Sequence, residues 1–197
     1  MLKLNIGCGL NKLEGYDNVD IDENVDPDVI APAHKLPYDD NSADEILASH
    51  VLEHMPHGIN IDQPESVCHP NVSDALKEWY RVLKLGGRLE IRVPNLAASL
   101  LDIIQISRVA TYDTLELSVP AVGHAVMYSF DELDASVFSM MILGGQQSSN
   151  DFHKSVFNLA RLKLCLEKVG FINLKRIIDC KDSNGLHPAN LVMEASK

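Results

Sequence analysis

No run of apolar residues in the chain approaches the roughly 20 needed to cross a bilayer, and no basic region followed by an apolar segment opens it. Neither membrane spanning nor secretion is expected, and the cytoplasm is the expected compartment. The four cysteines, Cys8, Cys68, Cys165 and Cys180, form no CxxC pair and have neither zinc-site spacing nor that of a compact disulfide framework, so a reduced interior fits them best. Positive charge is also scarce. Lys plus Arg number 17 against 28 Asp plus Glu, a formal charge of −11, and the resulting field repels nucleic-acid phosphates and anionic lipid. The denser basic groups, Arg81 with Lys84 and Arg88, and Lys175 with Arg176, read as solvated faces. No GxxxxGK[ST] phosphate loop occurs, which argues against a P-loop nucleotide hydrolase or kinase. No internal repeat is visible.

What the chain does contain is the material for one core. With 197 residues, 46% apolar and 23% charged, it reads as a single globular domain over 1–197. Residues 2–6 form a short apolar strand that runs into Gly7-Cys8-Gly9. A second strand ends at Val19-Asp20-Ile21, and only ten residues separate Gly9 from Asp20, too few for a crossover helix with both its turns. Val29-Ile30 suits a brief edge strand and residues 45–48 an inner one. Residues 54–70 hold Pro56, Gly58, Pro64 and Pro70 and predict an ordered loop or lid. From Val72, apolar residues recur at helical spacing through Leu76, Trp79 or Tyr80, and Leu83, with Asn71 or Ser73 able to cap the start. Gly86-Gly87 is expected to end that connection and admit a strand over 88–93, stopped by Pro94. Further helices are expected over 96–109 and 155–169, the second closed by Gly170. Residues 171–179 and 189–194 predict a terminal strand pair joined by a turn-rich 181–188. The sum is an α/β domain with a mostly parallel central sheet, two principal crossover helices and a C-terminal antiparallel hairpin. Strands apolar on both faces would call for helices over both.

The chemistry gathers near the N-terminus. Glycines after a buried strand let the chain turn closely around a ligand and present backbone donors, although the same residues also make a plain structural turn. Asp20, at the next strand end, has a carboxylate able to accept both hydroxyls of a ribose cis-diol, or it is an exposed turn residue. Gly7-Cys8-Gly9 also begins a GxGxxG-like turn, but Lys12 stands at the last glycine position and Asp20 comes early, so a nicotinamide-dependent oxidoreductase is the lesser reading.

Leu4 to Gly9, Val19 to Ile21, Leu36-Pro37, Asp44 to His54 and Glu78 to Gly87, taken in this order, resemble the class I S-adenosylmethionine (SAM) dependent methyltransferases, in particular a small subgroup associated with sugar or polysaccharide modification. The resemblance implies a Rossmann-like domain with SAM as cofactor. It implies that Asn5, Gly7, Cys8 and Gly9 border the amino-acid and sulfonium part, that Asp20 holds the ribose and that Ile21 lies against adenine. The position of the family's acidic adenine contact holds Pro32, which has neither a side-chain acceptor nor a backbone donor, so Ala33 or His34 is expected to supply that contact through backbone atoms. Ser49 and His50 are expected at the methionyl rim, unless they only cap a strand-to-helix turn. His54 either faces the acceptor or ties down the Pro-rich loop. His50 and His54 would share a face if the segment were helical, but two histidines without a third ligand do not make a metal site, and none is expected.

Methyl transfer by direct attack on the sulfonium methyl needs alignment and exclusion of water more than a covalent intermediate. If the acceptor is a hydroxyl, His124 or His153 is the expected base, each also open to a structural role. Residues 54–70 and 111–149 are expected to form the acceptor side, where a small polar or saccharide acceptor fits better than nucleic acid, protein or membrane. Self-association is open. A noncatalytic SAM-binding regulator is the alternative in which the turn and Asp20 persist without an open acceptor pocket.

Overall fold

The computed structural model describes residues 1–56, 70–95, 143, 152–177, 181–182, 185–186 and 190–197. The expected helix over 96–109, most of the two acceptor-side segments, and His124 lie outside these residues.

Seven strands make one sheet: β1 (Lys3–Ile6), β2 (Asp17–Asp20), β3 (Val29–Ile30), β4 (Ala43–Ser49), β5 (Leu83–Pro94), β6 (Ile172–Ile177) and β9 (Asn190–Ser196). Two-residue strands β7 (Lys181–Asp182) and β8 (Gly185–Leu186) pair as a separate ribbon. The order across the sheet is β3-β2-β1-β4-β5-β9-β6. The first five strands are parallel, and β9 runs antiparallel to both neighbours, which gives the expected C-terminal antiparallel pair. Order reverses at β1, with β2 on one side and β4 on the other. In an open parallel sheet this opens a crevice at the carboxyl ends of those strands.

No helix joins β1 to β2, as the short connection predicts. Side-chain hydrogen bonds do the holding instead. The Asn5 amide donates to Asn18 Oδ1 at 2.9 Å and to the Asn11 carbonyl at 3.0 Å. Asn18 Oδ1 accepts the Leu13 amide at 2.8 Å, and both the Asn18 backbone and its side-chain amide donate to Asp28 Oδ2 at 2.8 Å. Asn5 and Asn18 are buried, so each unmade bond there would leave a desolvated polar group at a cost of about 1–3 kcal/mol.

Helix α1 (Val72–Val82) begins where Asn71 accepts the Asp74 amide while Asp74 accepts the Asn71 amide, a reciprocal cap that selects Asn71 over Ser73. Helix α2 (Leu159–Val169) starts four residues later than its apolar periodicity suggests, because Asn158 caps it and Phe157 is drawn into a bridge with Asn95. Gly170, at φ 111°, ends it as expected. β5 begins directly after α1, before the two glycines. Its register against β4 shifts between Ala43 and Glu45, and Gly86 takes φ 75° in the irregular stretch.

Among the described residues, both helices cover one face of the sheet. α1 and α2 pack against each other, and Leu76, Trp79, Leu162 and Leu166 join one core with Leu4, Ile6, Ile46, Ala48, Leu89, Ile91 and Val93. Successive residues of a strand point to opposite faces, so the intervening residues form the other side of the sheet. That side is a lattice of ion pairs. Lys3 meets Glu45 at 2.9 Å, Glu45 meets Arg88 at 2.7 Å, Arg88 also pairs with Glu90 and Glu194, and Glu90 meets Arg92 at 2.7 Å. The physical reason is visible in β5, where Arg88, Glu90 and Arg92 alternate with Leu89, Ile91 and Val93. Such a strand is apolar on one face only. Arg81 and Lys84 are likewise paired, with Glu78 and Asp40 and with Asp44 respectively, and so do not make a free basic patch.

Candidate functional site

A cavity of about 470 Å³ opens at the carboxyl ends of β1, β2 and β4, where the strand order reverses. Its floor and one end are Gly7, Gly9, Asp20 and Ile21, and the 31–34 segment forms a side wall. His50, Val51, His54, Met55, Pro70 and Lys154 complete the lining, with Val51 packed against Gly7.

The turn after β1 is built by backbone geometry. Gly7 and Gly9 both have positive φ, 65° and 50°, a region costly to residues with a Cβ. The Gly7 and Cys8 amides donate to the Val19 carbonyl at 2.8 and 3.1 Å, fastening the turn to β2. The two glycines differ in what surrounds them. A Cβ on Gly7 would run into the Val51 side chain, whereas a Cβ on Gly9 meets nothing within 4 Å. Gly7 therefore permits close packing, and Gly9 leaves open space at the cavity.

Asp20 terminates β2 with its carboxylate already oriented. Oδ2 accepts the Gly9 amide at 2.8 Å and Oδ1 accepts the Asp22 amide at 3.0 Å. A carboxylate offers about four lone-pair positions, so two stay available for a diol. Ile21, 57% exposed, lies beside it as an apolar surface. On the side wall, the Ala33 carbonyl accepts the Trp79 indole N–H at 2.8 Å, which ties the wall to α1 through a fully buried ring. This commits the carbonyl and leaves backbone N–H groups as the donors for a base.

The remaining expected contacts separate into wall and support. Gly7, Gly9, Asp20, Ile21, Ala33, His34 and His50 line the cavity. Asn5, Cys8 and Ser49 do not. Asn5 is spent on the β1–β2 connection. Cys8 is buried, and burial, with the Asp20 charge adding to it, pushes its thiol pKa up, so the sulfur stays protonated. Ser49 lies on β4 opposite Arg92. Sequence reasoning did not single out Val51 and Lys154 as wall residues, whereas Met55 and Pro70 fall in the 54–70 segment expected on the acceptor side.

The segment after β4 differs from a helix. His50 takes φ 57° and Leu52–His54 is a single 3-10 turn, so the i,i+4 geometry imagined for His50 and His54 does not arise. His50 Nδ1 instead meets Glu53 Oε1 at 2.8 Å, and Glu53 is 1% exposed. His153, one of the two histidines expected as a base, is outside the cavity wall but adjoins His54, with ring centroids 5.0 Å apart.

A sequence profile of the family described as "Methyltransferase domain" matches residues 16–91, which run from the approach to β2 into β5. No curated protein matches. Among solved structures, the chain resembles a SAM-dependent methyltransferase from Archaeoglobus fulgidus at 19% identity, covering 99% of this chain and 85% of that one with a TM-score of 0.57. It also resembles a SAM-dependent methyltransferase from Methanosarcina mazei at 17% identity, 99% and 91% coverage and TM-score 0.55. A third, from Thermotoga maritima and described as a possible histamine N-methyltransferase, stands at 17% identity, 100% and 82% coverage and TM-score 0.52. At these identities the structural likeness establishes the fold, and the profile match covers residues 16–91 of the chain. A cavity of suitable size at the strand-order reversal, walled by a positive-φ glycine turn and a carboxylate with free lone pairs, fits an adenosyl cofactor. The chain thus has the α/β fold of SAM-dependent methyltransferases, residues 16–91 match the methyltransferase-domain profile, and SAM is the cofactor this match supports.

Proposed function

We propose that the protein transfers the methyl group of SAM to a small polar acceptor, with hydroxylated, saccharide-like compounds as the first class to test. The observation that supports this most is the Gly9 amide bonded to the Asp20 carboxylate at the rim of the cavity, a preformed join between glycine turn and ribose acceptor. Asp20 holds the ribose diol, Ile21 lies against the adenine, and the backbone of Ala33 and His34 reads the base edge. Gly7 and Gly9 flank the methionyl portion, and His50 borders it from β4. Asn5, Cys8 and Ser49 act from behind this surface. SAM supplies the electrophilic methyl on its sulfonium. The chain's own contribution is to align an acceptor and exclude water, which the His50, His54, Met55, Pro70 and Lys154 end of the cavity is placed to do. Three polar side chains among those five suit a hydrogen-bonding acceptor better than an apolar one.

Calorimetric titration of the purified chain with SAM, its demethylated product and NAD, followed by transfer of labelled methyl from SAM to a panel of saccharides, polyols and amines, tests the reading. The expected result is binding of both SAM and its product, with label moving to a polar acceptor. Binding of NAD in preference to SAM would overturn the reading. SAM binding with no transfer to any fraction of a cell extract would leave a noncatalytic SAM-binding protein.

A further inference from the structure

Glu53 is the most deeply buried carboxylate beside the cavity, 1% exposed, and only half of it is satisfied. Oε1 meets His50 Nδ1 at 2.8 Å, while the buried Oε2 has no hydrogen-bond partner. An unpaired buried carboxylate oxygen is costly, so its persistence calls for an occupant. Two imidazoles are beside it. Ligand atoms of Glu53, His54 and His153 all lie within 4.8 Å of one another.

The backbone holds the two contributing segments together. The Glu53 carbonyl accepts the Lys154 amide at 2.7 Å and the Ser155 amide at 3.0 Å, and the Ser155 hydroxyl donates to the Met55 carbonyl. His153 is therefore carried to Glu53 by main-chain bonds. A supporting shell is also present. His54 Nδ1 lies 3.3 Å from the Phe152 carbonyl, which directs Nε2 away as the free ligand atom, and His50 fixes the carboxylate from its other oxygen. The Phe152 carbonyl behind His54 and the His50 imidazole behind Glu53 are outer partners of the kind that orient ligands at metal centres.

We propose that Glu53, His54 and His153 form a site for one divalent transition-metal ion of the zinc class at the edge of the SAM cavity. Two imidazole nitrogens and one carboxylate oxygen match the borderline preference of Zn2+, and three protein ligands leave a further position for a small molecule. With metal–ligand bonds near 2.0–2.1 Å, tetrahedral ligands stand about 3.3 Å apart, so the three groups close on the ion by side-chain rotation without backbone movement. His54 and its neighbour Met55 line the cavity, so the open position faces the end assigned to the acceptor. The spacing His50-x-x-Glu53-His54 resembles a helical zinc motif, but the 3-10 turn and the His50 to Glu53 bond turn His50 into support, and His153 takes the second histidine position. The metal site stands apart from the methyl-transfer reading, and only its use on an acceptor oxygen rests on that reading.

Titration of the metal-stripped full chain with Zn2+ by calorimetry, and with Co2+ by visible absorption, tests the site without SAM or any acceptor. One equivalent of Zn2+ is expected, with the Co2+ absorption of a low-coordinate ion. His54→Ala and His153→Ala, each checked for folding by circular dichroism, are expected to weaken Zn2+ binding about 100-fold or more. In the wild-type chain, Zn2+ is expected to move the ring NMR signals of His54 and His153, a readout independent of either variant. Absence of stoichiometric binding, unchanged affinity in the folded variants, or unmoved signals from both rings would each overturn the proposal.

Discussion

Asp20→Ala gives the sharpest test of the cofactor assignment, because this carboxylate makes two turn contacts and has room for two more. The turn contacts are the 2.8 Å bond from the Gly9 amide and the 3.0 Å bond from the Asp22 amide. Both donors lie at a partly exposed rim where water replaces the lost acceptor, so the stability cost is about 1 kcal/mol. The ribose contacts are different, since bound cofactor keeps replacement water out. Hydrogen bonds to a charged acceptor contribute about 1.5–3 kcal/mol each, and two sharing one carboxylate are not additive. A combined loss of about 2–4 kcal/mol follows, roughly a 30- to 1000-fold rise in Kd for SAM and its product alike. Asp20→Asn keeps one acceptor oxygen and forfeits the charge, so its Kd is expected between wild type and alanine. Calorimetry on variants with a native-like melt measures both. A change of less than about threefold in Asp20→Ala would refute the ribose assignment and the ordering of contacts on which it rests.

Other expectations follow from the same geometry. Gly9→Ala puts a methyl into open cavity space at φ 50°, so it is expected to weaken SAM binding at least about tenfold while lowering stability by only about 1–2 kcal/mol. Gly7→Ala meets Val51 and is expected to reduce the melting temperature more, as paired melts and titrations would show. Trp79→Ala removes a fully buried ring and leaves the Ala33 carbonyl without its donor, for a loss of about 3–5 kcal/mol by denaturant unfolding, whereas Trp79→Phe is expected to cost less and to act chiefly through the adenine wall. Glu78 is held below its ordinary 4.5, chiefly by the Arg81 side chain and also by the Leu36 amide at 2.7 Å. A carboxylate depressed in the folded state contributes stability that is present above 4.5 and lost as pH falls through its folded value. Glu78→Gln is therefore expected to be less stable than wild type near neutrality, with the gap narrowing below pH 4.5 in urea titrations across pH.

The cofactor end of the site was legible because its signals are local. A strand, two glycines and an acid a fixed short distance onward bring Gly7, Gly9 and Asp20 together whatever the rest of the chain does, and Pro32 directed attention to the backbone of Ala33 and His34. The other end was not legible. Lys154 comes from a segment whose approach to β4 depends on the whole sheet, and nothing local to Glu53 reveals that its carboxylate is buried or that His153 stands beside it. The 3-10 turn at Leu52–His54 had no local signal either, because the left-handed turn at His50 is set by its place after β4 rather than by residue type. The polar side of β5 did have a local signal: the alternation Arg88-Leu89-Glu90-Ile91-Arg92-Val93 has a period of two, which marks a strand with one polar side.

The placing of β9 between β5 and β6 constrains the sequence of events in biosynthesis. As the chain leaves the ribosome, β1 to β5 can pair in turn, and the glycine turn with Asp20 emerges before β3 to β9. β6 is made before it has a seat, because the strand it pairs with is synthesised after it. Until Asn190–Ser196 emerges, the free edge of β5 offers unpaired N–H and C=O groups to any passing strand. The nascent sheet thus keeps an open edge until its last strand arrives, and a ligand that bound its β1 to β4 end during synthesis would stabilise it through that interval.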